Sequence, residues 1–191
     1  FSISTQPHVL LFADSKKLGV RITQYLNTLL PEEYRSGPKK MIYHYNSHMS
    51  EKYLAFVFTQ FTSDTGNCRI LVTTSCNAVG VDFPNVKIVC NAGLPSTVVD
   101  TLQRAGRAIR TGTEDALFIL FYDLSVHDIA LEEYSNGDQG DSDRPRTNLT
   151  MRNPNRKDRA PYFLVELIQS RRCIRASFAK YLNESRYDPR R

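Results

Sequence analysis

The run Gln103-Arg-Ala-Gly-Arg-Ala-Ile-Arg110 gathers three arginines and a glutamine within eight residues. A helical pattern starts at Pro95, with Val98, Val99 and Leu102 on one side, so it delivers Gln103, Arg104, Gly106, Arg107 and Arg110 as one cluster. Guanidinium groups on adjacent turns repel one another unless something anionic meets them. The planar fork of donors on Arg matches the oxygens of a phosphate. Spacing alone leaves two readings open. Arg107 and Arg110 lie three apart and share one helix face, which is either a phosphate site or ordinary solvated surface.

The elements that must position this cluster follow from hydrophobic patterning. Residues 69–73 and 86–90 are Val- and Ile-rich runs bounded by turn signals, the pattern of buried strands. Upstream, the run Val9-Leu-Leu-Phe-Ala ends at Asp14-Ser15, a helix cap, and Leu18, Ile22, Tyr25, Leu26 and Leu29 then recur at helical spacing up to Pro31. Residues 31–40 read as a surface loop. Residues 41–45 form another strand candidate, followed by Ser50 as N-cap and a helix with the stripe Tyr53, Leu54, Val57, Phe58 and Phe61. Residues 115–122 are a further apolar run. Strands that alternate with helices and are apolar throughout predict a parallel sheet covered on both faces. Such sheets bind ligands at the C-terminal ends of their strands. Thr74, Asp82 and the turn at 91–95 fall at such ends.

Composition sets broad bounds. The 191 residues suffice for one domain with a real core and something appended, and 41% apolar content is ordinary for a globular chain. A net charge of +5 permits a polyanionic partner without demanding one. The four cysteines, at 68, 76, 90 and 173, form no C-x-x-C pair, and three lie in or beside strand-like runs, so reduced buried thiols and an intracellular protein are expected. No signal-peptide pattern or long apolar run predicts secretion or a membrane partner. His8, His44, His48 and His127 show no ligand spacing. Residues 135–159 are rich in Gly, Pro and charge and read as a mobile linker or insertion. Its basic side chains, Arg144 and Arg146 among them, are either nucleic-acid contacts or a solvated loop. Residues 162–182 read as one helix, with Leu164, Leu167, Ile168, Ile174, Phe178 and Leu182 as its apolar stripe.

Two of these segments resemble a known family. Gln103 to Arg110 is similar to motif VI of superfamily 2 helicases, Q-x-x-G-R-x-G-R. The segment Thr74-Ser-Cys-Asn-Ala-Val-Gly-Val-Asp82 resembles motif V, and the two occur in family order at family spacing. The strand–helix opening at 9–29 resembles motif IV. Tyr45-Asn-Ser-His-Met-Ser50 resembles the Y-H-S-G-M-S element of the RecQ branch, with Asn46 in place of His and His48 in place of Gly. Cys173-Ile-Arg-Ala-Ser-Phe-Ala-Lys-Tyr-Leu-Asn-Glu184 resembles the start of the RecQ zinc-binding module.

The resemblance implies a RecA-like α/β lobe, a parallel sheet flanked by helices, with a short C-terminal helical extension. It divides the chain into a helicase C-terminal lobe at 1–130, a polar linker or insertion at 131–160, and the helical start of a truncated zinc module at 161–191. It implies the second motor lobe of an ATP-dependent 3′–5′ DNA helicase, using ATP and Mg²⁺ held mainly by an N-terminal RecA-like lobe. No G-x-x-x-x-G-K-[ST] loop or acidic Mg²⁺ motif occurs in these 191 residues. The isolated chain is therefore expected to be inactive.

Carried over, Arg107, Arg110 and Gln103 become catalytic, with the arginines as fingers on the γ-phosphate. Asp82, Gly80, Arg107 and Arg110 contact the nucleotide. Thr74, Ser15, Asn46 and Ser47 hold the backbone of single-stranded or partly duplex DNA. Cys173 is a possible first zinc ligand, but a tetrahedral site needs four, so no metal is expected. The nucleus, with roles in DNA repair and recombination, is the compartment implied. Ile109 and Ala78 depart from the family Gly positions, which motivates an alternative, a catalytically lapsed nucleic-acid-binding module. A second alternative is a lobe of a DEAD-box-like RNA helicase, against which stands Gln103 where that group prefers His.

Overall fold

The computed structural model describes residues 5–74, 81–108, 115–135, 138–146 and 160–183. Five strands, β1 (His8–Ala13), β2 (Ile42–Tyr45), β3 (Ile70–Thr73), β4 (Val86–Ala92) and β5 (Leu117–Phe121), form one sheet in the order β2-β3-β1-β4-β5. All four pairings are parallel. The helices are α1 (Lys16–Thr28), α2 (Glu51–Thr62), α3 (Val98–Ala105), α4 (Tyr162–Ser170) and α5 (Ile174–Tyr181). This is the RecA-like α/β architecture that the sequence predicts.

The continuous apolar runs exist because this sheet has two buried faces. Alternate residues of one strand serve different faces. On β1, Leu10 and Phe12 join Val57 and Phe61 of α2 in one cluster, while Leu11 packs with Ile22 and Leu26 of α1 in another. On β3, Leu71 belongs to the first cluster and Val72 to the second.

Both predicted caps hold. The Ser15 hydroxyl accepts from the Leu18 amide at 3.1 Å, and the Ser50 hydroxyl from the Tyr53 amide at 3.3 Å. The α1 stripe is narrower than expected, since Tyr25 and Leu29 face solvent. The loop at 31–40 carries two one-turn 3-10 helices, Glu32–Tyr34 and Gly37–Lys39, and sends Tyr34 into the core beside Met41 and Ile42.

The described residues divide into two compact units. One comprises residues up to Gly93 together with Asp100–Phe121, and the other Leu94–Val99 together with the residues from Tyr122 onward. The second unit differs from expectation in two ways. Residues 162–182 are two helices rather than one: Arg171 adopts the left-handed conformation at φ 52° and ends α4, and Cys173 precedes α5. Ile174 and Leu182 are consequently exposed rather than part of a buried stripe. Residues 138–146 are built into this unit. Arg144 is not a solvated side chain. It is buried, stacks 3.5 Å over the Tyr162 ring, and donates to the carbonyls of Tyr134, Gln139 and Asp141. Arg146 pairs with Glu133.

Two predictions come from the packing. Gly66 lies where the Gln60 carbonyl oxygen would stand 2.1 Å from an added Cβ. Gly66→Ala is expected to cost about 1–3 kcal/mol by overpacking against rigid backbone, read as a lowered denaturant midpoint. His8 and His44 have pKa values lowered from 6.5, both chiefly by burial, and His8 further by the Arg69 guanidinium 2.5 Å from its Nε2. The folded rings stay neutral where the unfolded ones already take up protons. Their contribution to stability is therefore present above pH 6.5 and lost as pH falls below it. The denaturant midpoint should drop between about pH 7.5 and about pH 5.5, and a midpoint that rises instead contradicts the assignment.

Candidate functional site

The strand order reverses between β1 and β4: β1 leads outward to β2 and β4 leads outward to β5. A doubly wound sheet opens a crevice above the C-terminal ends of such a pair. Here Arg104 of α3 fills its floor. Its Nε and Nη2 donate to both carboxylate oxygens of Asp100 at 3.1 and 2.5 Å, its Nη1 donates to Asn91 Oδ1 at 3.3 Å, and Asp14 lies 3.7 Å away. The guanidinium stacks 5.2 Å from the centre of the Phe12 ring. A guanidinium is tolerated this deep because carboxylates from the turn below and from the end of β1 meet it. Part of the arginine cluster thus finds its anion inside the protein. The signal for this was the Asp100–Arg104 spacing of four, which the sequence reading did not use.

Arg107 has a different environment. It lies one turn on from Arg104, half-buried, and its Nη1 donates to the Val81 carbonyl at 2.8 Å. That bond brings Arg107 beside the chain at Asp82, which is exposed. Gln103, four residues before Arg107, is also exposed on α3. Arg110 and Gly80, expected to be catalytic and nucleotide contacts, lie outside the described residues, as do Ile109 and Ala78.

The residues expected to hold a nucleic-acid backbone fall on three adjacent strand ends. The register pairs Phe12 with Thr73 and Tyr45 with Thr73. Ser15, Thr74 and Asn46-Ser47 therefore follow β1, β3 and β2 along one edge, with strands about 4.8 Å apart. Ser15 and Ser47 are exposed, and Thr74 is 8% exposed. Asn46, expected to contact the nucleic-acid backbone, is turned inward. It is 3% exposed, its amide donates to the His44 ring, and its Oδ1 accepts from the His48 amide. Its side chain serves the strand-to-helix turn, and Ser47 and His48 are what that turn presents to solvent.

Cys173 is exposed and stands before α5. Among the described residues no group of three His, Cys, Asp or Glu could hold a metal ion. Arg107 thus stands beside the chain at Asp82, and Gln103 is exposed on α3, the helix that leads to Arg107.

Residues 2–112 match the family model of the helicase conserved C-terminal domain. The ATP-dependent RNA helicase DBP3 of Candida glabrata is 33% identical over 119 residues, which are 62% of this chain and 20% of that protein. The mitochondrial ATP-dependent RNA helicase MSS116 of the same organism is 26% identical over 150 residues, 78% of this chain and 20% of that one. The helicase Lhr of Mycobacterium smegmatis, solved bound to single-stranded DNA and AMP-PNP, superposes with a TM-score of 0.55 at 28% identity, over 63% of this chain and 15% of the other. The chain spans about a fifth of the length of the curated relatives it matches.

The contrast between the two arginines is measurable. Arg104→Ala is expected to cost roughly 2–3 kcal/mol of stability, below the fully buried range because its carboxylates keep some solvent. Arg107→Ala should cost about 1 kcal/mol or less. Equal midpoints for the two variants in denaturant titrations would refute the division.

Proposed function

We propose a function from one premise: the chain belongs to the helicase conserved C-terminal domain family and is the second RecA-like lobe of a superfamily 2 helicase. In the whole protein this lobe closes on ATP bound by the first lobe and grips a single strand along the edge of its sheet. The single observation that carries the reading is the bond from Arg107 to the Val81 carbonyl. It holds a guanidinium of motif VI against the segment that ends motif V.

ATP with Mg²⁺ supplies the hydrolysable phosphoanhydride. The chain's own residues orient and stabilise. Arg107, joined by Arg110, meets the γ-phosphate and stabilises the charge that develops there, an effect of about 10³–10⁵ in rate in comparable phosphoryl-transfer systems. Gln103 orients the nucleotide or its water, and Asp82, with Gly80, receives the ribose. Ser15, Thr74 and Ser47 bind the strand through its phosphates, contacts that position the strand and read no sequence. Alternate closing and opening moves the lobe along the strand.

The polynucleotide we assign is DNA, with 3′–5′ movement of RecQ type. The support lies in the chain itself: Gln103 in motif VI, the Tyr45–Ser50 element, and the Cys173 element with which a zinc module would begin. A specific observation favours a second reading, an RNA helicase lobe, since the relatives DBP3 and MSS116 are named ATP-dependent RNA helicases. The domain division at 130 and 160 and a nuclear location belong to the RecQ reading.

The test is the ATPase of the full-length protein. Arg107→Ala is expected to lower kcat by about 10³ or more with little change in the nucleotide KM. Single-stranded DNA should stimulate the wild type more than RNA of equal length, and the stimulation should weaken steeply with salt. Stimulation by RNA alone would transfer the assignment to the second reading. Unchanged turnover in Arg107→Ala would remove the arginine from its role.

A further inference from the structure

The two halves of the site meet at one carboxylate. Asp14 follows β1 and immediately precedes Ser15, the residue that caps α1 and is assigned to the nucleic-acid strand. Its Oδ1 lies 3.7 Å from Arg104 Nη1, and Arg104 stands three residues before Arg107. Asp14, Ser15, Asn91, Asp100, Arg104 and Arg107 all belong to the first compact unit.

The carboxylate and the guanidinium are held differently. Arg104 is buried, bound by both oxygens of Asp100 and by Asn91 Oδ1. Asp14 keeps 26% of its side chain in solvent. A separation of 3.7 Å is longer than a hydrogen bond, so the pair interacts through charge. A second group of the same cluster is unsatisfied. Asn91 is fully buried, and its Nδ2 finds no acceptor among the described residues. A stretched ion pair and an orphaned donor are the places where this cluster has interaction energy still to gain.

We infer that Asp14 is a positioning residue that couples the strand to the nucleotide: a phosphate held at Ser15 acts on the neighbouring carboxylate, and the carboxylate acts on Arg104. The inference rests on the reading of Ser15 as a strand contact and of Arg107 as the group that meets nucleotide phosphate. It adds the link between them. A phosphate beside Asp14 repels its carboxylate, and the repulsion is offset best when that carboxylate is drawn onto Arg104. Strand binding therefore favours the tighter pair. The tighter pair shifts the turn that carries Arg107, and displacements on the order of 1 Å are enough to change a transition-state contact. The coupling is reciprocal, so nucleotide tightens the strand by the same factor as the strand tightens nucleotide.

The experiment uses the full-length protein, fluorescent single-stranded DNA and RNA oligonucleotides, and a non-hydrolysable ATP analogue. Strand affinity is measured with and without the analogue for the wild type, Asp14→Asn and Asp14→Ala, beside the denaturant midpoint of each. In the wild type the analogue should tighten binding of one oligonucleotide by at least about fivefold. In Asp14→Asn that factor should shrink by about three- to fivefold, the equilibrium equivalent of one partly exposed ion pair. Affinity without the analogue should hold or rise, because an anion has been removed from beside the strand. Asp14→Ala should match Asp14→Asn, since charge and not shape is transmitted. The Asn variant is isosteric with the native residue and carries the test even where Asp14→Ala is unstable. A factor unchanged in Asp14→Asn, or one lost in Asp14→Ala and restored in Asp14→Asn, would reduce Asp14 to a packing contact and overturn the inference. A wild type whose affinity for both oligonucleotides ignores the analogue would overturn the reading of the site itself, and the inference with it.

Discussion

The site depends on one buried guanidinium. A parallel sheet whose order reverses leaves a gap above the junction, here between β1 and β4, and that gap must be filled without orphaning the polar groups around it. Arg104 fills it with a planar group large enough to lie on Phe12 and polar enough to serve Asp100, Asp14 and Asn91 together. An apolar side chain of similar size would make none of these polar contacts. A lysine would reach the charges but could not satisfy Asp100 with two parallel donors. With Arg104 anchored, the face of α3 that points away from the sheet is determined, and with it the direction in which Gln103 projects.

Much of this could be read from the chain because a parallel sheet imposes strong rules. Both faces are covered, so strands are apolar without alternation. Helices start where the strands stop, so Ser15 and Ser50 are legible as caps in the sequence. Residues on the C-terminal edge of a parallel sheet must follow strands, so Ser15 and Thr74 could be assigned to one edge. Asn46 was legible in position but not in direction. The turn after β2 needed an acceptor for the His48 amide and a partner for the buried His44 ring, and a short amide side chain supplied both. Such local competition is not encoded in hydrophobic periodicity.

The second unit was harder to read for a related reason. Ordering of residues 138–146 does not come from apolar burial, which is what composition measures. It comes from one arginine that satisfies three carbonyls and stacks on a tyrosine. A Gly- and Asp-rich segment with no hydrophobic pattern looks the same whether or not such a hub is present. The break between α4 and α5 carries no breaker residue either. Arg171 takes a left-handed conformation that Gly or Asn would ordinarily announce, at a cost on the order of 1 kcal/mol. The period of the apolar residues runs through the break, so the stripe seemed continuous while its outer members, Ile174 and Leu182, lay in solvent.

These constraints converge on α3. The segment from Asp100 to Arg107 is held at two places. Arg104 ties it to the sheet, and Arg107 bonds the Val81 carbonyl just beyond the end of the helix. Each restraint uses a different chemistry: a buried ion pair and a charged donor on a backbone oxygen. Neither depends on regular hydrophobic packing. A helix this short has little stability of its own, so its position is set by these attachments and not by propensity. A short helix pinned by polar contacts is suited to presenting guanidinium groups, because the attachments that give it its place also fix the register at which the arginines emerge. The three arginines of one motif therefore cannot be treated as interchangeable charges. Arg104 is buried in an ion pair, whereas Arg107 is half-buried and bonded to a backbone carbonyl.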